Sequence, residues 1–251
     1  MKKDTSWGNV ADWYSAHVAG EDSYHAQVIL PNILRLLDIK LGKNILDLAC
    51  GSGFFSNEFH KAGASVTGID ISPELISLAK EHGAKEIRYF VASARSFPDI
   101  KSGSIDTVTL VLAIQNIREV KEMLAECYRV LTSQGRMLVV MNHPAFRIPG
   151  KSSWEWSPEG VMYRRTDGYL SESATEIAMH PGADPKVKTV SFHRPIQYYM
   201  KLMGNAGFAA KRMEEWISNK KSQKGGRQKE EDRMRLEIPL FLAIELVKAG
   251  V

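Results

Sequence analysis

The sequence predicts an α/β domain with a mostly parallel sheet and a ligand site at the carboxyl edge of that sheet. From about residue 43 to residue 142, short runs of Val, Ile and Leu alternate with segments of helical periodicity, as in βαβ units. The first run leads into the glycine turn, residues 47–53 with the sequence Asp-Leu-Ala-Cys-Gly-Ser-Gly, and this turn opens a helix. A chain of 251 residues can bury the core of one such domain, so we expect a single domain over residues 1–251.

Five strands are predicted in this first part of the chain. Each is rich in Val, Ile and Leu and carries few charges, as expected for parallel strands with helices on both faces. In chain order the predicted strands span residues 44–49, 65–69, 87–91, 104–111 and 135–141.

Helices are predicted between these strands. Ser72 and Pro73 form a strong helix start, with serine as the N-cap and proline at the first helical position, and Gly83 ends that helix. Apolar residues at helical spacing predict another helix over residues 118–131. Before the first strand, residues 1–40 are expected to form an N-terminal helical cap.

The regular alternation ends after the fifth strand. Residues 144–195 are rich in Trp, Tyr, Pro and Gly and predict an insertion of turns and short strands, which we expect to form a lid over the active site. A helix is then predicted at 194–206, followed by strands at 208–217 and 238–247. The stretch 218–235 is polar and mostly basic, and we expect a long mobile loop with some helix.

Charge and composition narrow the possible partners. The chain has 33 Lys and Arg against 29 Asp and Glu, a net charge of +4, which is far from the profile of a dedicated nucleic-acid binder. The basic run at 220–229 is followed at once by three acidic residues and has no interleaved aromatics, which favours a solvated loop. Cys50 and Cys127 suggest neither a disulfide framework nor a metal site.

The same sequence gives no sign of a membrane or secreted protein. No apolar run reaches the ~18 residues that a membrane span needs, and the first residues lack the apolar core of a signal peptide. We therefore expect no membrane span and a cytoplasmic location. The oligomeric state is left open.

The residues around the glycine turn discriminate between two kinds of cofactor. A dinucleotide site favours three glycines in the pattern G-x-G-x-x-G, because a pyrophosphate rests on the helix N-terminus. Here Ser56 occupies the third position, and Asp47 places a carboxylate at the end of the strand. A carboxylate would repel a pyrophosphate but suits a ligand with an ammonium and a sulfonium. Asp70 ends the second strand, where an acidic side chain can accept both hydroxyls of a ribose.

These segments resemble a known family. Residues 45–54 and 66–72 are similar to the first and second motifs of class I S-adenosylmethionine-dependent methyltransferases, and the best match is to the type 11 small-molecule group. The resemblance covers roughly residues 40–142. It implies a Rossmann-like seven-stranded sheet ordered 3-2-1-4-5-7-6, with the seventh strand antiparallel and helices on both faces.

The resemblance also implies a set of cofactor-binding roles. The methionine moiety would be held near the glycine turn, the ribose by the acid after the second strand, and the adenine by residues after the second and third strands. The implied residues are Asp47, Ala49, Gly51, Gly53 and Ala113 for methionine, Asp70 for ribose, and Ile71, Ser93 and Ala94 for adenine. Apart from the resemblance, the N-terminal cap is rich in aromatic residues, and we expect Tyr14 of the cap to close over the cofactor.

Two positions depart from the family pattern. Ala49 stands where glycine is usual, and we expect ordinary backbone angles there. Ser93 stands where an Asp commonly receives the adenine amino group, and we expect a modest loss of affinity, of order ~1 kcal/mol, because the charge-assisted part of that bond is absent.

The methyl acceptor leaves a fainter trace than the cofactor. Methyl transfer is an in-line displacement in which alignment contributes most, and a base is needed only if the nucleophile starts protonated. His143 and His193 are the candidate bases, although each can equally be a structural anchor. The aromatics of the insertion can form a lid or merely a small core of their own. The candidate substrate residues are Tyr24, Gln115, Asn116, Trp154 and Tyr163.

The sequence therefore predicts S-adenosylmethionine-dependent methyl transfer to O, N or S of a small molecule. Three alternatives stay open: an RNA- or protein-modifying methyltransferase, a non-catalytic cofactor-binding module, and a nicotinamide oxidoreductase. The run Leu112-Ala113-Ile114-Gln115-Asn116 lacks the Asn/Asp-Pro-Pro-aromatic signature of RNA amino-group enzymes, which argues against the first of these.

Overall fold

A computed structural model of the chain describes residues 7–180 and 184–249. Its centre is a seven-stranded sheet in the order β10-β11-β5-β4-β1-β2-β3, accompanied by two separate two-stranded hairpins, β6-β7 and β8-β9. The strands are β1 Asn44–Leu48, β2 Ser65–Asp70, β3 Arg88–Val91, β4 Ile105–Val111, β5 Leu131–Asn142, β6 Ser152–Trp156, β7 Met162–Thr166, β8 Ser173–His180, β9 Asp184–His193, β10 Phe208–Trp216 and β11 Phe241–Lys248.

The topology of the large sheet confirms the predicted order. Strand β1 pairs in parallel with β2 and β4, while β11 pairs antiparallel with both β5 and β10. When only the strands of this sheet are numbered, the order is 3-2-1-4-5-7-6 with the seventh strand antiparallel. The carboxyl ends of β1, β2 and β4 therefore meet at one edge, where open α/β sheets bind their ligands.

Seven α-helices connect and cover the strands of the described chain. Ser72 caps the fourth of them as predicted, because its Oγ accepts a hydrogen bond from the backbone N–H of Leu75 at 3.2 Å. A π-helical turn at His25–Ile29 leads into the second helix, and a 3₁₀ turn at Trp7–Val10 precedes the first. The helices are α1 Ala11–Ala19, α2 Leu30–Leu37, α3 Phe54–Lys61, α4 Pro73–His82, α5 Val120–Val130, α6 Ile196–Asn205 and α7 Gln228–Glu237.

The sheet has a hydrophobic core on each face. On one face Leu124 of α5 and Tyr199 of α6 pack against strands β4, β5 and β11. On the other face Ile33 of α2, Phe59 of α3 and Ala79 of α4 form the second core. Coverage of both faces explains why the central strands are almost entirely apolar.

Several predicted boundaries in the second half of the chain were wrong. Strand β5 begins at Leu131 directly after α5, four residues earlier than expected, because Leu131 already pairs with Ile105. Strand β11 begins at Phe241 rather than 238, since Pro239 has no N–H to donate to a ladder. The stretch 218–235, expected as a loop with some helix, does contain most of α7, which packs on β7.

No helix of the described ranges is long and apolar enough to cross a membrane.

Candidate active site

A cavity of 530 Å³ opens at the carboxyl edge of the sheet, above the ends of β1, β2 and β4. Its position is the one that the strand order predicts for a ligand site. The structure brings eight of the predicted site residues together on its wall: Ala49, Gly51, Asp70, Ile71, Ser93, Ala94, Ala113 and Asn116.

The glycine turn adopts left-handed backbone angles at alternate positions. The φ angles are 57° at Ala49, 57° at Gly51 and 83° at Gly53. The expectation of ordinary angles at Ala49 was therefore wrong, because the turn places this residue in a region that L-amino acids enter at a cost of ~1–2 kcal/mol. Gly53 is required for space as well, since a Cβ there would lie 2.5 Å from the buried Tyr89 hydroxyl oxygen.

Asp70 lies on the cavity wall and fixes the turn from the end of β2. One carboxylate oxygen accepts the backbone N–H of Gly51 and the other accepts that of Ser72, both at 2.9 Å. Burial raises the pKa of Asp70, while these backbone bonds and that of Ile71 oppose the rise. A carboxylate has about four lone-pair sites, and three backbone N–H groups donate to this one, so it can accept a further donor from a ligand.

Asp47 lies beneath the turn rather than on the cavity wall. Its two oxygens accept the hydroxyls of Ser56 at 2.6 Å and Thr109 at 3.1 Å. Burial raises its pKa to about 6, the two hydroxyl bonds lower it, and the nearby charge of Asp70 raises it again. Ser56, which the sequence marks only as a missing third glycine, is thus the partner of this acid.

The side of the cavity where adenine is expected is formed by the ends of β2 and β3. Ile71 is 39% exposed and lies beside the buried Leu75 of α4. Ser93 follows β3, and its hydroxyl accepts the backbone N–H of Arg95 at 3.4 Å. The side of the cavity where adenine is expected therefore combines an accessible apolar surface with a neutral hydroxyl.

The opposite wall comes from the hairpin β8-β9, which lies within the 144–195 insertion, although the sequence analysis singled out none of its cavity-lining residues. Thr189, Val190 and Phe192 of β9 line the cavity, and Asn116 donates from Nδ2 to the Val190 carbonyl at 3.0 Å. Arg194 donates to the carbonyls of Ile117 and Arg118 at 2.8 and 3.1 Å. These bonds fasten the hairpin to the loop after β4, so this wall of the cavity is supplied by the second hairpin of the insertion and not by the first.

The aromatic residues chosen for a lid do not line this cavity. Trp154 and Tyr163 lie on the other hairpin, β6-β7, where the Arg164 guanidinium stacks on the Trp154 ring at 5.0 Å. Tyr163 donates its hydroxyl to Glu155 at 3.1 Å. This hairpin packs against α7, which provides a partner for its aromatics away from the cofactor cavity.

Two further substrate candidates also lie outside the cavity. The Gln115 side chain exchanges hydrogen bonds with both the N–H and the carbonyl of Asn142, at 3.1 and 3.0 Å, and so joins the loop after β4 to the end of β5. The hydroxyls of Tyr24 and Ser218 share a hydrogen bond of 3.0 Å. The cap instead reaches the cavity through Trp7, while the side chain of Tyr14 lies outside the described part of the structure.

Neither candidate base faces the cavity. His143 is 2% exposed, with Nε2 2.7 Å from the Glu215 carboxylate and Nδ1 accepting the backbone N–H of Ala145. His193 is 3% exposed and its Nε2 lies 2.8 Å from the Tyr169 carbonyl oxygen. Both placements match the structural-anchor alternative, because protein groups hold both ring nitrogens of His143 and the Nε2 of His193.

The described residues contain no group of three or more His, Cys, Asp or Glu side chains that could hold a metal ion.

The family model and the curated relatives that this chain resembles are all described as methyltransferases. Residues 46–139 match the family model described as a methyltransferase domain, type 11. The ubiquinone biosynthesis O-methyltransferase of Xanthomonas oryzae pv. oryzae is 31% identical over 101 residues, which cover 39% of this chain and 42% of that protein. The demethylmenaquinone methyltransferase of Thermus thermophilus is 34% identical over 130 residues, covering 50% of this chain and 54% of that protein. The chain thus spans about half, or less, of the length of these curated relatives.

Solved structures extend the likeness to almost the whole chain. An S-adenosylmethionine dependent methyltransferase from Mesorhizobium loti superposes with a TM-score of 0.70 at 23% identity, covering 86% of this chain and 95% of that one. The protein therefore has the class I methyltransferase fold. Within this fold, the match to the methyltransferase domain model covers residues 46–139.

Proposed function

We propose that this protein is an S-adenosylmethionine-dependent methyltransferase that moves a methyl group to O, N or S of a small molecule. The observation that carries the proposal is Asp70 on the cavity wall, with one carboxylate oxygen bonded to Gly51 of the glycine turn and the other to Ser72, the N-cap of α4. That arrangement leaves the carboxylate able to accept a ribose hydroxyl beside a turn that admits close approach of a ligand.

The charges around the turn support this cofactor over a dinucleotide. Asp47 and Asp70 are close enough that the charge of Asp70 raises the pKa of Asp47. Two acids at the turn repel a pyrophosphate, whereas they stabilise a ligand that carries an ammonium and a sulfonium. The cofactor supplies an activated methyl group, so the chain must hold the acceptor in line with it.

The residues of the cavity are suited to positioning. The backbone at Ala49, Gly51 and Ala113 would hold the amino acid end of the cofactor, and Ile71 and Ser93 the adenine. The β8-β9 wall, with Thr189 and Phe192, would close the acceptor side and exclude water. Alignment of this kind contributes up to ~7–11 kcal/mol of rate enhancement. Because His143 and His193 are held away from the cavity, we assign no general base to them.

The names of the relatives restrict the class of substrate only broadly. The two curated relatives named above are quinone-pathway methyltransferases by name, and they favour a small-molecule acceptor. The family match ends at residue 139, before both hairpins, so the β8-β9 wall of the cavity lies outside it. Both described cysteines are buried free thiols, which agrees with a reducing cytoplasmic compartment as part of this proposal.

Two measurements test the proposal. Calorimetry with S-adenosylmethionine, S-adenosylhomocysteine and NAD should show binding of the first two only; binding of NAD alone would refute the cofactor assignment. Transfer of an isotope-labelled methyl group should then be followed in separate small-molecule, RNA and protein extracts. Label confined to the small-molecule extract is expected, and label confined to RNA or protein would refute the acceptor class.

A further inference from the structure

A buried threonine on the wall opposite the glycine turn has no hydrogen-bonding partner for its hydroxyl. Thr189 belongs to β9, lines the cavity and is 8% exposed. Within residues 7–180 and 184–249, no group donates to its side chain or accepts from it. A ligand that displaces water from this position and offers no hydrogen bond leaves the hydroxyl unpaired, which weakens binding. The position therefore favours a ligand with a polar group.

The Thr189 hydroxyl opens into the cavity. Among the described residues, the hydroxyls that are both closed off from solvent and unpartnered are those of Tyr89, Ser173 and Tyr199. The Thr189 oxygen is not one of them, so it reaches accessible space, and for a residue on this wall that space is the cavity. Ser191 lies two residues further on the same face of β9 and is also 8% exposed, but it does not line the cavity.

Asn116 offers a second free polar atom on the same wall. Its Nδ2 donates to the Val190 carbonyl at 3.0 Å, and this bond fixes the orientation of the amide, because Oδ1 has no hydrogen to donate. Oδ1 itself accepts from no residue of the described chain and is not closed off from solvent. Since Val190 directly follows Thr189, the amide oxygen and the threonine hydroxyl belong to neighbouring positions of the cavity wall.

The charges on the cavity wall cancel one another. The described residues that line it include three acids and three bases, namely Asp70, Glu119 and Glu176 against Arg95, Arg118 and Lys188. Across the β8-β9 hairpin, Lys188 donates to Glu176 at 3.2 Å, so these two charges also cancel locally. A wall without net charge gives no electrostatic preference to an anion or a cation. It is therefore suited to an uncharged ligand beside the cofactor.

The remaining surface on this side of the cavity is apolar and partly aromatic. It is formed by Trp7, Ile117, Val190 and Phe192. The guanidiniums of Arg118 and Arg194 lie 5.3 and 4.7 Å from the centre of the Phe192 ring and hold that ring in place. Apolar walls with a few placed polar groups are typical of sites for small, partly apolar molecules.

We propose that Thr189 and Asn116 select a methyl acceptor that is uncharged, largely apolar and carries a hydroxyl or an amine N–H. The hydrogen of that group is donated to Oδ1 of Asn116, and its oxygen or nitrogen accepts from the Thr189 hydroxyl. An analogue without the polar group leaves both side chains unpaired, and sites of this kind discriminate strongly against such analogues. That the molecule is the methyl acceptor rests on the proposed function, whereas its recognition by these two residues does not.

The experiment uses three fluorinated aromatic probes that differ in one substituent: para-fluorophenol, para-fluorotoluene and para-fluorobenzoate. The phenol is uncharged near neutral pH, the toluene replaces its hydroxyl with a methyl group of similar size, and the benzoate is an anion. Each probe is titrated into the full chain with and without saturating S-adenosylhomocysteine, while its fluorine resonance is followed by NMR. The proteins are the wild type, Thr189→Val, Thr189→Ser, Asn116→Ala and Ser191→Ala. Ser191→Ala is the matched control, because it removes an equally exposed hydroxyl outside the cavity wall.

The wild type should bind para-fluorophenol more tightly than either other probe. The ratio of phenol to toluene affinity should fall at least roughly tenfold in Thr189→Val and in Asn116→Ala, should recover in part in Thr189→Ser, and should stay within about twofold of the wild type in Ser191→Ala. The ratio isolates the polar contacts, because any loosening of the wall affects both probes.

Four results would overturn the proposal. They are an unchanged ratio in Thr189→Val, an equal fall in Ser191→Ala, tighter binding of the benzoate than of the phenol, and an absence of saturable binding by all three probes.

Calorimetry with S-adenosylhomocysteine on the same proteins separates the possible failures. Thr189→Val should retain the affinity for this compound and the thermal transition of the wild type, because the hydroxyl bonds no described residue. If the wild type fails to bind the compound while the phenol preference still depends on Thr189, the methyltransferase proposal fails and the polar site stands. If the compound binds and displaces para-fluorophenol, Thr189 belongs to the cofactor's part of the cavity and the present proposal fails.

Discussion

Replacing Asp47 with asparagine should stabilise the protein near neutral pH while weakening its cofactor binding. The acid is 2% exposed, and its oxygens accept the hydroxyls of Ser56 and Thr109. An asparagine of the same shape can accept from Thr109 and donate to Ser56, because a hydroxyl rotates to either role. The substitution therefore removes a buried charge without leaving a polar atom unpaired.

The pKa of Asp47 sets the size and direction of the effect. Burial raises that pKa from 3.8 to about 6, so between these two pH values the folded state holds a proton that the unfolded state has released. The contribution of the protonated Asp47 to the free energy of unfolding is therefore present below about pH 4 and is lost as the pH rises through about 6. At about 1.36 kcal/mol per pKa unit, the loss is ~3 kcal/mol. Above that pH, Asp47→Asn should recover on the order of 1–3 kcal/mol.

Urea unfolding of the wild type and Asp47→Asn at about pH 4, 6 and 8 tests this reasoning, since the difference between the two proteins isolates this one group. Asp99→Asn, which removes an exposed acid, serves as the control for a general change of charge. The difference in unfolding free energy should grow between about pH 4 and 6 and then level off. A variant that is less stable than the wild type at about pH 8 would refute the argument.

Three further substitutions test the turn and its acids. Asp70→Ala should weaken binding of S-adenosylhomocysteine at least roughly tenfold in calorimetry without unfolding the protein, and unchanged affinity would mean that the ribose assignment is mistaken. Ala49→Gly should raise the unfolding free energy by about 0.5–1 kcal/mol, since relief of ~1–2 kcal/mol of backbone strain exceeds the entropic penalty of glycine; a lower unfolding free energy would contradict the left-handed angle. Gly53→Ala should lower the unfolding free energy by about 2–4 kcal/mol. Adding Tyr89→Phe to that variant should restore part of the loss, because the Tyr89 hydroxyl is the atom closest to the new Cβ. No restoration would refute the contact.

The fold and one wall of the cavity could be predicted because their signals are local in the sequence. Alternating apolar runs and helix caps define the strands and helices up to residue 142, with errors mostly at their ends. Ala49, Gly51 and Asp70 lie in contiguous motifs, and strand order alone brings them to one edge. The backbone angle at Ala49 was not predictable from residue type, because the geometry of the turn overrides the preference of alanine.

The other wall of the site could not be predicted, since it depends on pairing between distant segments. Val190 is 74 residues from Asn116, and their hydrogen bond follows from how β8-β9 docks. Aromatic content marked the insertion as a lid but could not tell which hairpin faces the cavity. His143 and His193 leave strands at a suitable edge, yet each is held by a partner that the sequence does not identify.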